Sequence, residues 1–220
     1  SSIGAYSKGN LFKEKLSNYE KEPMDFYPGW AKRMAEMQIE AYSIEHNLKN
    51  YSIVRPCNVY GPGDNFNLLN SHVPAALIDR FHTAKTNNFK TVEVWGSGKP
   101  LREFLYVEDL AEACLYALEN WDPNSKDAPK DSDGNKLFWL NVGSQYEVSI
   151  RELVNLIAHQ CDYKGEIIWD LSKPDGTERK KLDTSNMSKL GWKAKVSLLD
   201  GIERTIKAYL DEKKLNTFRV

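Results

Sequence analysis

Residues 51–64 read Tyr-Ser-Ile-Val-Arg-Pro-Cys-Asn-Val-Tyr-Gly-Pro-Gly-Asp. The first five have the apolar, β-branched character of a buried strand, which Pro56 and the turn that begins at Gly61 bring to an end. A helix is predicted before this strand, from about Gly29 to His46. A helix that leads into a short buried strand, repeated along a chain, is typical of α/β or mixed α+β proteins.

The same alternation continues toward the C-terminus. Helical spacing of apolar residues predicts helices over Val73 to Ala84, from about Asp109, from Ser149 and over 198–213. Ser149 and Glu152 have the spacing of a capping box. Short strands are predicted at 91–95, 137–142 and 167–169, and the hydrophilic segment 122–136 is predicted to be a surface loop. The pattern as a whole predicts an α/β fold.

The composition argues against several classes of protein. The 220 residues carry 30 Lys and Arg against 31 Asp and Glu, so no basic excess indicates nucleic acid or an anionic membrane as a partner. No apolar run approaches the roughly 20 residues that span a bilayer, and no signal peptide opens the sequence, which predicts a cytoplasmic protein. Three cysteines without C-x-x-C spacing, and histidines without paired spacing, predict neither a disulfide framework nor a metal site.

Seven segments contain residues that are unusual for mere packing. Four of them are Ser1-Ser-Ile-Gly-Ala-Tyr6, Tyr27-Pro-Gly-Trp-Ala-Lys32, Arg55-Pro-Cys-Asn-Val-Tyr-Gly-Pro-Gly-Asp-Asn65 and Arg102-Glu-Phe-Leu-Tyr-Val-Glu-Asp109. The other three are Asn65-Phe-Asn with Asn70-Ser-His-Val73, Val94-Trp-Gly-Ser-Gly98, and Ser172-Lys-Pro-Asp-Gly-Thr with Arg179-Lys180. In this order and spacing they resemble the extended short-chain dehydrogenase/reductase family that acts on nucleotide-linked sugars. The last three are most similar to the branch that epimerises GDP-4-keto-6-deoxymannose at C3 and C5 and reduces C4 with NADPH.

The resemblance implies the later part of a Rossmann-type doubly wound parallel sheet plus a smaller mixed α/β substrate-binding lobe. Residues 1–62 would be the C-terminal part of the dinucleotide-binding domain. Residues 63–220 would mostly form the nucleotide-sugar-binding lobe, with 99–142 partly returning to the Rossmann sheet. The family's Gly-rich turn, where the cofactor pyrophosphate meets a helix N-terminus, would lie before residue 1. We therefore expect either that an N-terminal portion precedes the numbered chain, or that the chain is a truncated product that binds dinucleotide poorly.

Reduction of a ketone leaves an alkoxide, which needs a proton donor. A phenol can serve if a nearby ammonium lowers its pKa from about 10. The family places the two groups at Tyr-x-x-x-Lys on a helix, and the resemblance assigns them here to Tyr27 and Lys32. The spacing departs from the pattern, because Pro28 stands four residues before Lys32 and Tyr27 stands five before it. Pro28 favours a helix start, so Tyr27 is expected at or before the N-cap. The alternative is that Tyr27 only packs while Lys32 still holds the cofactor ribose.

The resemblance also assigns a hydroxyl and a second acid/base group. Ser2 corresponds to the catalytic Ser that hydrogen-bonds the sugar carbonyl, with Ser1 as the alternative. His72 corresponds to one epimerisation residue, and a His titrates near neutral pH. The family's other epimerisation residue is a Cys two positions after the Ser, where this chain has Gly4, or Ile3 under the other alignment, and neither can move a proton.

Cofactor and substrate contacts complete the implied site. The cofactor, NADP with NAD as the alternative, would contact Ser1, Ser2, Lys32, Pro56, Cys57, Asn58, Val59 and His72. A GDP-sugar would contact Asn58, Arg80, Trp95, Arg102, Asp175 and Arg179. The net charge of the chain is close to zero, so a diphosphate has to be held by local positive charges. The arginines in this set supply such charges. Asp109 is expected to cap the following helix and to help set Arg102.

Three alternatives to an epimerase/reductase stay open. The first is a GDP-sugar 4-ketoreductase without double epimerisation, and the second is an epimerase that uses bound NAD without net redox. The third is a non-catalytic nucleotide-sugar-binding homologue. The resemblance also implies a homodimer, with which apolar residues at Met34, Met37 and Ile39 are compatible.

Overall fold

A computed structural model describes residues 1–15, 19–48, 51–215 and 217. The helices are α1 (Phe26–Glu45), α2 (Val73–Thr86), α3 (Val107–Asn120), α4 (Ile150–Gln160), α5 (Ser185–Lys189) and α6 (Leu198–Leu215), with a 3-10 turn, η1, at Ile3–Ala5. The strands are β1 (Leu11–Phe12), β2 (Ile53–Pro56), β3 (Asn58–Tyr60), β4 (Thr91–Trp95), β5 (Leu101–Tyr106), β6 (Trp139–Val142), β7 (Glu147–Ser149), β8 (Glu166–Asp170) and β9 (Arg179–Leu182). No described helix has the length and apolar character that a membrane span requires.

The chain forms two compact units, each assembled from separate stretches of sequence. The first unit consists of Ser1–Val59, Glu103–Tyr146 and Arg179–Lys195. The second consists of Tyr60–Arg102, Glu147–Glu178 and Val196–Val220. The predicted division into a cofactor domain and a sugar lobe stays a prediction.

Parallel strands form the centre of the first unit. Strand β2 pairs in parallel with β6, with Ile53 opposite Trp139, and β1 pairs in parallel with β9. All four residues of β6 are buried, which suits a strand that is covered on both faces. Helix α3 packs its small buried residues Ala113 and Ala117 into the same apolar core.

The second unit is a parallel pair of strands packed with helices. Strands β4 and β8 run in parallel from Thr91 opposite Glu166 to Trp95 opposite Asp170. Alternate residues of β4 are buried, as expected of a strand with one face against a core. Helices α2, α4 and α6 each contribute fully buried side chains to the core of this unit: Ile78, Phe81, Leu153, Ile157, Ile202 and Tyr209. Both loops that leave the carboxyl ends of β4 and β8 therefore emerge at one edge of the pair.

The predicted α/β fold with Rossmann-type parallel pairing is confirmed. The capping box is also confirmed, since Ser149 and Glu152 exchange both hydrogen bonds. The expectation that Asp109 caps the following helix was wrong. Helix α3 already begins at Val107, and Asp109 lies buried in its first turn, where Oδ1 accepts a hydrogen bond from the Lys195 backbone N–H at 3.1 Å.

Candidate functional site

In the first unit, the candidate residues lie on η1, α1 and the segment that connects β2 to β3. Ser2 is the N-cap of η1 and is half-buried. Ser1 beside it is exposed. Lys32 is exposed on the second turn of α1. Arg179 begins β9 and is half-buried.

The expectation that Tyr27 precedes the helix was wrong. Asp25 is the N-cap of α1, and Tyr27 lies inside the first turn with 83% of its surface exposed. Five residues on a regular helix correspond to a rotation of about 140°, so Tyr27 and Lys32 project from different sides of α1. The structure therefore does not bring this phenol and this ammonium to one face. The residue four positions before Lys32 is Pro28, which carries no phenol.

A Tyr-x-x-x-Lys spacing does occur elsewhere, at Tyr209 and Lys213 on α6. There the Lys213 ammonium donates to the Tyr209 hydroxyl at 2.7 Å, and that hydroxyl donates to Asp79 Oδ1 at 2.6 Å. Tyr209 is fully buried, and burial raises the pKa of its phenol far above the ordinary value. A buried phenol that binds a carboxylate is a poor acid at neutral pH, so this pair stabilises the packing of α6 on α2.

A buried cationic cluster that the sequence interpretation did not assign lies beside η1 and α1. Arg55 donates from Nε to Glu36 Oε1 at 2.7 Å and from Nη2 to Glu36 Oε2, and both side chains are at most 2% exposed. The Arg55 guanidinium lies 4.0 Å from the Trp139 ring centroid and 4.5 Å from that of Tyr6. Among the described residues its Nη1 has no hydrogen-bond partner. An arginine in an otherwise apolar strand was the available signal, because such a charge is buried only when it is paired.

This cluster connects the segments that carry the candidate residues. Glu36 lies one turn after Lys32, about 40° around the helix. Tyr6 follows η1, which begins directly after Ser2, and its hydroxyl donates to Asn141 Oδ1 at 2.7 Å. A further bond joins η1 to α1, from Arg33 Nε to the Ala5 carbonyl at 2.7 Å.

Asn58 and Cys57 lie where β2 passes into β3. The Asn58 side-chain amide donates to the Glu103 carbonyl at 2.8 Å, so this amide is used in joining β3 to β5. Cys57 is buried, and burial together with the negative charge of Glu103 raises the pKa of its thiol well above the ordinary value, which leaves the thiol unreactive. Glu103 itself is fully buried and accepts backbone N–H bonds from Gln145 at 2.7 Å and Leu182 at 3.0 Å.

Glu14 gives the first unit a pH-sensitive group. It is 5% exposed, and burial raises the pKa of its carboxyl from 4.5 to about 6 although the Asn141 backbone N–H donates to it. The folded state therefore holds this proton up to a higher pH than the unfolded chain does, and stability falls as the pH rises from about 4.5 to 6. A shift of this size corresponds to about 2 kcal/mol.

We expect Glu14→Gln to flatten that slope, because an amide does not ionise. Urea denaturation at pH values from 4.5 to 7.5 measures the free energy of unfolding of both proteins. The exposed Glu20 offers a matched control, since Glu20→Gln should keep the wild-type slope. Equal slopes for wild type and Glu14→Gln would show that Glu14 does not cause the pH dependence.

In the second unit, a second set of candidates meets at the carboxyl ends of β4 and β8. Trp95 ends β4 with 63% of its surface exposed, and the Lys173 ammonium lies 5.4 Å from its ring centroid. Asp175 accepts hydrogen bonds from the Ser97 backbone N–H at 2.8 Å and from its hydroxyl at 2.6 Å, which hold the pKa of its carboxyl below the ordinary range. Arg102 is half-buried, and Nη2 is 3.1 Å from where a Cβ on Gly176 would stand. The result is an exposed aromatic face beside fixed charged groups.

The turn that follows β4 requires a glycine at position 96. The backbone φ there is +79°, and a Cβ would lie 2.5 Å from Asp175 Oδ1. Arg151 supports the same turn, donating from Nη2 to the Ser97 carbonyl at 2.8 Å while its guanidinium stacks 4.1 Å from the Trp169 ring centroid. The sequence interpretation missed Arg151, since nothing in its helical context distinguishes it from other surface arginines.

Arg80 and His72 lie elsewhere in the second unit. Arg80 on α2 donates from Nη1 to the Glu93 carbonyl at 2.8 Å, alongside β4 and not at its end. His72 is the exposed N-cap of α2, and its side chain makes no capping bond. Near it, Asp64 Oδ2 and Ser71 Oγ are buried without a hydrogen-bond partner among the described residues. Burial raises the pKa of the Asp64 carboxyl, which the hydrogen bond from the Asn65 backbone N–H to Oδ1 at 2.7 Å and the nearby His72 partly offset. Buried polar atoms that lack partners are typical of a place where a ligand or water binds.

Comparison with known proteins gives a consistent picture. The family model described as NAD dependent epimerase/dehydratase family matches residues 1–129. GDP-L-fucose synthase 1 from Arabidopsis thaliana is 43% identical over 189 residues, which is 86% of this chain and 54% of that protein. The chain spans about half the length of the curated relatives that it matches from Arabidopsis thaliana and Escherichia coli.

Solved structures resemble the chain in fold as well as in sequence. A GDP-6-OMe-4-keto-L-xylo-heptose reductase from C. jejuni has a TM-score of 0.83 at 29% identity, over 96% of this chain and 69% of the other. A GDP-D-glycero-L-gluco-heptose synthase from Campylobacter jejuni, solved in the presence of NADPH, has a TM-score of 0.77 at 27% identity, over 96% and 68%. With a family model that covers more than half of its residues, the chain belongs to the NAD dependent epimerase/dehydratase family.

Proposed function

We propose that the protein epimerises and reduces a GDP-linked 4-keto-6-deoxyhexose, with NADPH as the hydride donor, to give GDP-L-fucose or a related GDP-deoxyhexose. The observation that carries the proposal is the 43% identity to a GDP-L-fucose synthase. NADPH is favoured over NADH because a similar solved structure was obtained in its presence. A cytoplasmic location remains a prediction from the sequence.

The first unit would supply the reacting groups. The Ser2 hydroxyl would hydrogen-bond the C4 carbonyl, and Lys32 would hold the ribose hydroxyls of the cofactor. A hydroxyl and an ammonium form a donor set that fits a nicotinamide ribose and a ketone. Pro56, Cys57, Asn58, Val59 and Ser1 would border the nicotinamide. The cofactor supplies a hydride, and this chain supplies orientation and positive charge.

The second unit would bind the GDP moiety. The exposed Trp95 ring would stack on guanine, and Arg102 would meet the diphosphate together with Arg80. Arg179, which the sequence also assigns to the substrate, belongs to the first unit. Asp175 would hold the Ser97 turn in shape for the nucleotide. His72, beside the unpartnered oxygens of Asp64 and Ser71, would act as an acid/base group on the sugar.

A GDP-sugar 4-ketoreductase without epimerisation is the second candidate. It is favoured by Gly4, which cannot transfer a proton, and by the similarity to a solved reductase. Incubation with GDP-4-keto-6-deoxymannose and NADPH separates the two, with NADPH oxidation followed by absorbance and the sugar identified by NMR. GDP-L-fucose supports the first function, and a product that keeps the manno configuration supports the second. If NADPH is not consumed, both are wrong.

The nucleotide assignment predicts that Trp95→Ala weakens the binding of GDP about 5- to 150-fold, which corresponds to the roughly 1–3 kcal/mol of a base stacked on an aromatic ring. Isothermal titration calorimetry measures the dissociation constant. Phe89→Ala is the matched control, since Phe89 is 54% exposed in the same unit and has no assigned role. Unchanged affinity in Trp95→Ala would exclude the stacking.

We also propose that α1 mediates a homodimer. Large exposed side chains recur on it at intervals of three, four, three and seven residues, at Tyr27, Trp30, Met34, Met37 and Ile44. That spacing makes a stripe of the kind that packs against another helix. Ile39 is exposed but lies about 200° from Met37, off the stripe. Light scattering should give a dimer for the wild type and a monomer for Met34→Glu with Met37→Glu, and a monomeric wild type would contradict the proposal.

A further inference from the structure

Asp25 occupies an N-cap position without acting as a cap. An Asp before a helix normally accepts a hydrogen bond from the backbone N–H of the second or third helical residue. Here the third helical residue is Pro28, which has no N–H, and the Asp25 side chain makes no capping bond. The carboxylate is therefore available for another interaction.

The Asp25 carboxylate is directed instead at Gly4. A Cβ on Gly4 would lie 2.6 Å from Asp25 Oδ2 and 3.3 Å from its Cβ, so the carboxylate fills the space that a side chain at position 4 would take. Asp25 Oδ1 lies 3.4 Å from the ammonium of Lys180, whose side chain is only 17% exposed. A carboxylate paired with an ammonium thus stands beside η1, the turn that begins directly after Ser2.

We propose that Asp25 is an acid/base catalyst that moves a proton at a carbon next to the sugar ketone. The inference rests on the proposed function, in which Ser2 binds the carbonyl oxygen. It also accounts for two departures from the family pattern at once. Gly4 leaves room for the carboxylate, and Pro28 removes one of the two N–H groups that could otherwise hold it at the helix N-terminus.

The proton transfer requires no reactant other than water. The carboxylate takes the proton from the carbon beside C4, so a C–H bond breaks and a carboxyl O–H bond forms. The electron pair moves to the carbonyl oxygen, and the Ser2 hydroxyl stabilises the resulting enolate. The enolate then returns its electrons to the carbon, which takes a proton from water on its other face, and the carboxyl releases its proton to solvent. The carbon is inverted with no net redox change.

Exchange of substrate hydrogens with solvent deuterium isolates this step from reduction. Full-length protein with its oxidised cofactor NADP is incubated in D₂O with GDP-4-keto-6-deoxymannose, and NMR follows loss of the signals at C3 and C5. We expect Asp25→Asn to slow the exchange at least about 100-fold, the lower range for a general acid/base group. The dissociation constant for GDP should be unchanged. Asp183→Asn, a half-buried carboxylate of the same unit with no assigned role, should exchange at the wild-type rate.

Gly4→Ala provides a second variant that leaves the carboxylate chemistry intact but places a methyl group 2.6 Å from the present position of Asp25 Oδ2, so the carboxylate must move. Slow exchange in both variants, with melting temperatures near the wild-type value, supports the proposal. Wild-type exchange in Asp25→Asn overturns it, as does a wild type that oxidises NADPH without exchanging either hydrogen. A wild type that neither exchanges nor oxidises NADPH overturns the proposed function together with this inference, so the two failures are distinguishable.

Discussion

Arg55→Met should lower the free energy of unfolding by about 3–5 kcal/mol, the range for removing one partner of a buried ion pair. The variant leaves the Glu36 carboxylate, which is about 2% exposed, without the two bonds that Arg55 donates. Of its described partners Tyr19 still donates to Glu36, but one phenol does not replace a bidentate guanidinium. The Tyr6 and Trp139 rings also lose the cation between them. Urea denaturation followed by tryptophan fluorescence measures the effect.

A double variant tests the stated cause. In Arg55→Met with Glu36→Leu, no charge is left unpaired, so we expect part of the lost stability to return. Arg55→Lys keeps the charge but cannot make the bidentate contact, and it should fall between wild type and Arg55→Met. A double variant as unstable as the sum of its single variants would show that the ion pair is not the source of the effect.

The long helices and the strands β2, β4, β6 and β8 could be predicted because their apolar periodicity is local. Strand β4 occupies the predicted residues, and the capping box at Ser149 forms as its spacing required. Strands β1, β3, β5, β7 and β9 were missed. Strands β1 and β9 have no long apolar run of their own, and the parallel pairing of Leu11 with Lys181 joins residues far apart in sequence.

The candidate site was predictable only where a residue type implies its chemistry. Trp95 and Asp175 were both assigned to the substrate. Trp95 ends β4, and Asp175, in the segment that follows the neighbouring parallel strand β8, accepts a hydrogen bond from Ser97 just after β4. The contact between Asp25 and Gly4 joins residues 21 positions apart, and no spacing rule indicates it. The burial of the Arg55 and Glu36 pair likewise depends on how α1 packs on β2. Tyr27 was misplaced because the proline after it was interpreted as the helix start, whereas Pro28 is accommodated inside the first turn.

Lys32→Met should reduce kcat for the 4-keto sugar about 100- to 10,000-fold, while the dissociation constant for GDP stays the same. The ammonium would orient the cofactor ribose and stabilise the developing alkoxide, and a methionine of similar length removes only the charge. Helix α1 keeps its orientation, because Glu36 one turn further on remains bonded to Arg55. Stopped-flow measurement of NADPH oxidation gives kcat.

The same substitution at an exposed neighbour separates the charge from any effect on the helix. Gln38→Met changes an exposed residue of α1 and should keep the wild-type kcat. Lys32→Arg keeps the positive charge and should recover part of the rate, whereas a residue that only stabilises α1 would lower the melting temperature in Lys32→Met. A Lys32→Met protein with wild-type kcat would remove Lys32 from the mechanism. Tyr27 projects from a different side of α1 than Lys32 does. The proton that the alkoxide takes up would therefore have to come from a group that is not on the Lys32 side of α1.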